Sequence, residues 1–216
     1  MPNFTLKIVA FYIKILVLTF YLLSAPSISY AQSLKDTLKI KEFKNPSIED
    51  YEQMVFESTQ YLLSNPVDEN SAEFVSASKV VCFWMHQETG YGIPLGGNFY
   101  YKLRNDDNQQ YFYAVSMVNY LLDQKINHKR ILNCLPIIGQ NYSDQEDVKE
   151  VRFKAAEIFL AFAKKRKNNI KLTVRARKYL KHYRKGTLNE KFLEDLEEPP
   201  KLKEINSPFI TYVMPN

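Results

Sequence analysis

Apolar side chains recur at intervals of three or four residues in six segments of the chain, a period that is typical of amphipathic α-helices. The six segments run from Ser47 to Asn65, from Ser71 to about Met85, from about Asp107 to Asp123, from about Asp144 to Lys167, from Leu172 to Lys185 and from about Leu188 to Glu197. No segment shows sustained two-residue alternation, which is the pattern of a half-buried strand. The sequence therefore predicts an all-α fold of five to six helices.

Two of these segments carry a further local signal. Ser143, followed three residues later by Glu146, predicts a capping box at the start of the fourth helix. In the second helix, Val80, Phe83 and Trp84 lie on the side opposite the main apolar stripe. Because a helix that is apolar all round is usually enclosed by others, we expect the second helix to be the central, buried one.

Long apolar segments recur along the chain at a nearly constant spacing. They begin at residues 80, 117 and 157, which are 37 and then 40 residues apart, and each precedes a shorter amphipathic segment. The shorter segments cover residues 98–103, 130–135 and 176–183. Spacings of this size are typical of helical-hairpin repeats, so the sequence predicts either an array of hairpins or an irregular helical bundle.

Residues 1–31 have the organisation of a cleaved signal peptide. Lys7 and Lys14 precede an apolar core at Ile15–Leu23, and small residues precede a cleavage site between Ala31 and Gln32. The alternative is an uncleaved anchor, but the longer stretch Ile8–Leu23, which includes Lys14, has 16 residues and is shorter than the roughly 20 that span a bilayer. We expect an exported protein, periplasmic or secreted, with no transmembrane span after cleavage. Residues 32–46 then form a linker, 47–198 a helical domain and 199–216 an extended tail.

The composition is that of a packed globular domain. Six glycines stand against 14 phenylalanines and 15 tyrosines, a balance that argues against extensive disorder. The net charge of +5 falls to +3 without residues 1–31, because that segment holds two lysines and no acid. In an exported protein, such a mild excess predicts no nucleic-acid partner.

Two cysteines and three histidines are the candidates for covalent or metal chemistry. Cys82 and Cys134 could form a disulfide in an oxidising compartment, or both could be buried thiols, as their apolar flanks also suggest. The three histidines lie in three different helical units and no HExxH motif occurs, so no metal or cofactor is predicted. His86, one turn after Cys82 and close to Glu88, gives the nearest approach to a catalytic group. An enzyme with an unrecognised site is therefore the less favoured hypothesis.

The densest aromatic cluster surrounds a glycine-rich loop at residues 90–97, which contains four of the six glycines. The loop lacks the Lys-Ser/Thr of a phosphate-binding loop, so it predicts a tight turn with unusual backbone angles or close contacts. The cluster consists of Trp84, Tyr91, Phe99, Tyr100, Tyr101, Tyr111, Phe112 and Tyr113. Consecutive aromatic residues cannot all face one core from a single helix, so we expect some to be exposed as a binding surface. The alternative is that they pack at the rim of a bulky core.

Residues 164–185 carry the strongest charge signal, with eleven Lys or Arg and no acid. Within the fifth helix, the cations opposite the apolar stripe are Arg177, Lys178, Lys181, Arg184 and Lys185. Such a face can dock on anionic lipid, an acidic glycan or an acidic partner. It can also be an ordinary solvated face, offset by the acids at 190–198.

These observations favour a non-catalytic protein of the cell envelope. The first hypothesis is a module that binds a protein or peptide partner through the aromatic cluster. The alternative is a peripheral protein that binds anionic lipid or polysaccharide through the basic helix face.

Overall fold

The computed structural model describes residues 48–87, 89–104 and 108–196. In these ranges it contains seven α-helices and no strand, which confirms the all-α class. The helices are α1 (Ile48–Ser64), α2 (Ala72–Met85), α3 (Gly97–Tyr100), α4 (Gln109–Ile126), α5 (Glu146–Ala163), α6 (Val174–Lys185) and α7 (Leu188–Leu196). Short 3-10 turns cover Tyr142–Asp144 and Arg166–Asn168. The predicted signal peptide, its cleavage site between Ala31 and Gln32, the linker and the tail lie outside the described residues.

Several helix ends follow from local chemistry. The Ser71 hydroxyl accepts a hydrogen bond from the Phe74 backbone N–H and caps α2, while the Thr173 hydroxyl accepts one from Ala176 and caps α6. At the other end of α6, Gly186 adopts a left-handed φ of 72°, which ends the helix without a side-chain clash. The predicted start of α2 and end of α6 are therefore confirmed.

The predicted capping box at the start of α5 is wrong. Residues Tyr142–Asp144 form a 3-10 turn instead, and the helix begins after Gln145, whose side chain makes no capping bond. The Ser143 hydroxyl accepts a hydrogen bond from Arg152 Nη1 at 3.1 Å rather than from the helix terminus. A contact with a side chain of the same helix, nine residues further along the chain, has thus replaced the local cap.

The central helix is α4, not α2 as the sequence predicted. All residues from Tyr111 to Val118 are buried, because α4 packs against both α1 and α5. The helix α2 packs mainly against α1 and leaves Phe83 59 % exposed. The exposure of Phe83 shows that an apolar side chain opposite the buried stripe of a helix is not always covered by another helix.

The regular hairpin repeat is not present at its second predicted unit. Residues 129–137 contain no helix, and the first short segment contributes the single turn of α3. Leu132 and Cys134 point inward while Ile131 and Leu135 are exposed, which is the two-residue alternation of an extended chain. Pro136 contributes to this result, because a proline disfavours helical angles in the residue before it.

Candidate functional site

Most of the predicted aromatic surface lies in the core. Trp84, Phe99, Tyr100, Tyr111, Phe112 and Tyr113 are at most 8 % exposed. The rings pack against one another across helices: the Phe99 centroid lies 4.6 Å from that of Tyr179 and 5.1 Å from that of Tyr113. Consecutive aromatics can all be buried here because α4 has neighbours on several sides. The expectation that some of them are exposed is therefore wrong for Tyr111, Phe112 and Tyr113, whereas in the run Phe99 to Tyr101 the last ring is exposed.

The cluster's accessible rings are those of Tyr91 and Tyr101. Tyr101 is 38 % exposed, and Tyr91 is half-buried between the Trp84 ring, 5.9 Å away, and the Lys125 ammonium, 5.6 Å from its centroid. A recognition role stays a prediction for these two residues.

Cys82 and Cys134 are buried free thiols, so the candidate disulfide is not formed. Burial raises the pKa of the Cys82 thiol to about 11 and that of Cys134 to about 12. Both thiols are therefore protonated at neutral pH and are poor nucleophiles.

His86, one of the three candidate catalytic residues, contacts the main chain of Cys82. The Nδ1 atom of His86 lies 2.6 Å from the backbone carbonyl oxygen of Cys82, so this ring nitrogen is directed at the main chain. Glu88, the third candidate, lies outside the described residues. Among the residues that are described, no group of three His, Cys, Asp or Glu side chains could hold a metal ion.

All eleven Lys and Arg residues between 164 and 185 are exposed; we call these residues the basic segment. None of them forms a salt bridge with an acid in the described part of the chain. The Lys164 ammonium lies over the Tyr183 ring, 5.2 Å from its centroid, which joins the end of α5 to α6. The basic segment is thus a continuous set of cations that no described acid neutralises.

The five predicted cations of α6 share one face. At 100° per residue they fall within an arc of about 120°, and Arg177 and Lys185 are about 12 Å apart along the axis. Ala176 and Tyr179, on the opposite side, are buried against the core. The apolar stripe of α6 therefore packs against the core, and its cationic face is exposed to solvent.

Two acids of α7, Glu194 and Asp195, pair with lysines that lie outside the basic segment. Asp195 accepts hydrogen bonds from Lys102 and Lys191, both at 2.8 Å. Glu194 lies 3.1 Å from Lys191, which lowers the pKa of that carboxyl group. Two of the expected counter-charges are therefore held by lysines outside the basic segment, and Glu197 and Glu198 lie outside the described residues.

No family model, curated protein or solved structure matches this chain. Across the described ranges, each helix is too short or too polar to cross a membrane. The functional argument therefore rests on the geometry and charge of the side chains themselves.

Proposed function

We propose that this protein is a non-catalytic peripheral protein that attaches to an anionic membrane surface through the basic segment. The observation that carries the proposal is the set of eleven exposed cations without a described acidic partner. Each Lys or Arg near an anionic bilayer contributes about 1 kcal/mol of attraction. Several cations acting together are therefore enough for reversible attachment.

The attachment would be electrostatic rather than insertive. The apolar side of α6 is occupied by the core, so this helix has no apolar face left to bury among acyl chains. Val174, which is 68 % exposed, lies within the same arc as the cations and adds one apolar contact at the headgroup level. This apolar neighbour favours a lipid surface, which has an acyl region beneath its headgroups, over a polysaccharide, whose surface is mostly polar.

Binding of a protein partner is the second candidate function. The extended segment after α4 exposes four large aliphatic side chains: Ile131 (67 %), Leu135 (43 %), Ile137 (52 %) and Ile138 (102 %). Exposed apolar patches of this kind often mark interaction surfaces. Such binding would depend weakly on salt, which separates it from the first candidate.

Vesicle sedimentation tests the proposed attachment. The protein should sediment with vesicles that contain phosphatidylglycerol and stay in solution with vesicles of phosphatidylcholine alone. The triple variant Arg177→Gln/Lys181→Gln/Lys185→Gln removes three charges from α6, and we expect roughly 100-fold weaker binding. Added salt should weaken wild-type binding as well, because it screens exposed charges.

The matched control removes three positive charges elsewhere. The variant Lys79→Gln/Lys129→Gln/Lys154→Gln has the same net charge as the α6 variant and should bind like the wild type. Equal losses in both variants would mean that net charge alone drives binding. Binding to a soluble anionic polysaccharide without binding to the anionic vesicles would overturn the assignment to a membrane.

A further inference from the structure

A small cavity lies where the loop before α3 meets α5, α6 and α7. Its volume is about 70 Å³, enough for a group of a few non-hydrogen atoms. The rings of Phe99 and Phe192 form part of its apolar wall, and the polar wall includes Ser143, Lys149 and Arg152. The cavity is thus apolar on one side and rich in hydrogen-bond donors on the other.

Arg152 places a positive charge on this wall without a carboxylate partner. Its Nε donates to the Pro94 carbonyl oxygen at 3.0 Å and its Nη2 to that of Leu95 at 3.3 Å, while Nη1 donates to the Ser143 hydroxyl. All three acceptors are neutral, and no acid in the described part of the chain pairs with this guanidinium. Since a guanidinium has five N–H groups, each terminal nitrogen keeps one for a ligand.

Arg130, elsewhere in the same protein, pairs its guanidinium with a carboxylate. Its two terminal nitrogens bind the two carboxylate oxygens of Glu150, each at 2.6 Å. This bidentate pairing is the arrangement that guanidinium and carboxylate groups favour. Arg152 offers the same planar fork, but it faces a cavity instead of an acid.

Two glycines keep the approach to this guanidinium open. Gly96 and Gly97 have φ values of +105° and +80°, which side chains rarely tolerate. A Cβ atom at Gly96 would lie 3.6 Å from Arg152 Nη2, and one at Gly97 would lie 3.4 Å from Nη1. Any larger residue would therefore add atoms directly against the donor groups.

The other charges near the cavity leave this wall positive. Lys149 lies on the same wall, and its one salt bridge within the described residues is to Glu146, an acid that is 89 % exposed. Asp195 also lines the cavity, but Lys102 and Lys191 both bind its carboxylate, at 2.8 Å each. The Ser143 hydroxyl accepts from Arg152, so its own proton is available to a ligand.

We infer that this cavity is a binding site for a small monocarboxylate of about the size of acetate or propionate. Arg152 binds the carboxylate through its terminal nitrogens, and Ser143 and Lys149 donate further hydrogen bonds. The hydrocarbon end lies against the aromatic wall. This site is independent of the basic segment, none of whose cations lines the cavity.

Calorimetric titration with sodium propionate, against sodium chloride at equal ionic strength, tests this site. We expect heat of binding for the wild type and for Arg130→Gln, the control arginine that does not line the cavity. Arg152→Gln should show none. Ser143→Ala should bind five- to tenfold more weakly, as is typical for the loss of one hydrogen bond.

Two further measurements keep the test decisive. Propionate should raise the melting temperature of the wild type and leave that of Arg152→Gln unchanged, because a ligand stabilises the state that binds it. If Arg152→Gln does not fold, Ser143→Ala and the blocking variant Gly97→Ala replace it. Three results would overturn the proposal. The first is no heat of propionate binding with the wild type, and the second is the same heat with these variants as with the wild type. The third is stronger binding of inorganic phosphate than of propionate.

Discussion

At the scale of single residues, Gly92 shows how a missing side chain can determine packing. A Cβ atom at this position would lie 1.9 Å from the backbone oxygen of Cys134. Real side chains do not approach a main-chain oxygen so closely, so the segment that contains Cys134 could not keep its place. The glycine therefore allows the loop after α2 to contact the extended segment after α4.

We predict that Gly92→Ala lowers the free energy of unfolding by about 3 kcal/mol, because the added methyl forces two backbone segments apart. Gly90→Ala is the matched control in the same loop. Gly90 has φ +76° and open space around it, so its loss should be limited to about 1 kcal/mol of backbone strain. Urea denaturation measures both values, and equal losses would contradict the packing argument.

The sequence predicted part of this behaviour. Four glycines in the segment 90–97 indicated unusual backbone angles or close contacts, and both occur: Gly90, Gly96 and Gly97 have positive φ, while Gly92 makes the close contact. The contact partner could not be predicted, because Cys134 is more than 40 residues away in the chain.

At the scale of helices, the N-terminal caps separate local from tertiary control. The Thr173 hydroxyl accepts from the Ala176 N–H at 3.0 Å and donates to the Lys102 carbonyl oxygen at 2.7 Å. It therefore caps α6 and also ties this helix to the turn after α3. Ser143, which has the better capping sequence, caps no helix.

We predict that Thr173→Ala destabilises the protein by about 1–2 kcal/mol, because the first turn of α6 loses its cap and its tie to Lys102. Ser143→Ala should cost less than half as much, since the Arg152 N–H that it binds can be solvated from the cavity. Urea unfolding followed by circular dichroism compares the two variants. A larger loss of stability for Ser143→Ala than for Thr173→Ala would support the capping box that the sequence predicted.

At the scale of the whole molecule, a buried ion pair joins the first helix to the central one. Lys125 of α4 lies 2.6 Å from Glu52 of α1, whose side chain is 3 % exposed. Breaking a buried pair leaves a charge without a partner, which costs far more than the loss of an exposed pair. This contact therefore helps to fix how α1 and α4 pack.

We predict that Lys125→Met lowers the free energy of unfolding by about 3 kcal/mol at neutral pH, because the Glu52 carboxylate remains buried and unpaired. Lys154→Met is the control, since Lys154 pairs with Glu157 at an exposed site and should change stability by less than about 0.5 kcal/mol. Chemical denaturation of both variants measures the difference. Similar losses of stability in the two variants would show that the burial of Glu52 does not increase the cost of breaking its ion pair.

The sequence by itself determined the helices. Their apolar period, the cap at Ser71 and the stop at Gly186 are local features, and local contacts between near neighbours are enough to specify them. The departures occurred where other contacts replaced the predicted ones. The Ser143 hydroxyl accepts from Arg152, nine residues along the chain, instead of capping α5, and the neighbours of α4 covered aromatic rings that were expected at the surface.

Only the tertiary structure decided which residues are available for function. It buried both cysteines as free thiols, enclosed most of the aromatic cluster and left the basic segment exposed, with no salt bridge to a described acid. It also brought Arg152 to a cavity beside two glycines that lie more than 50 positions earlier in the chain. Burial and pairing depend on contacts between residues far apart in the sequence, and no local pattern encodes those contacts.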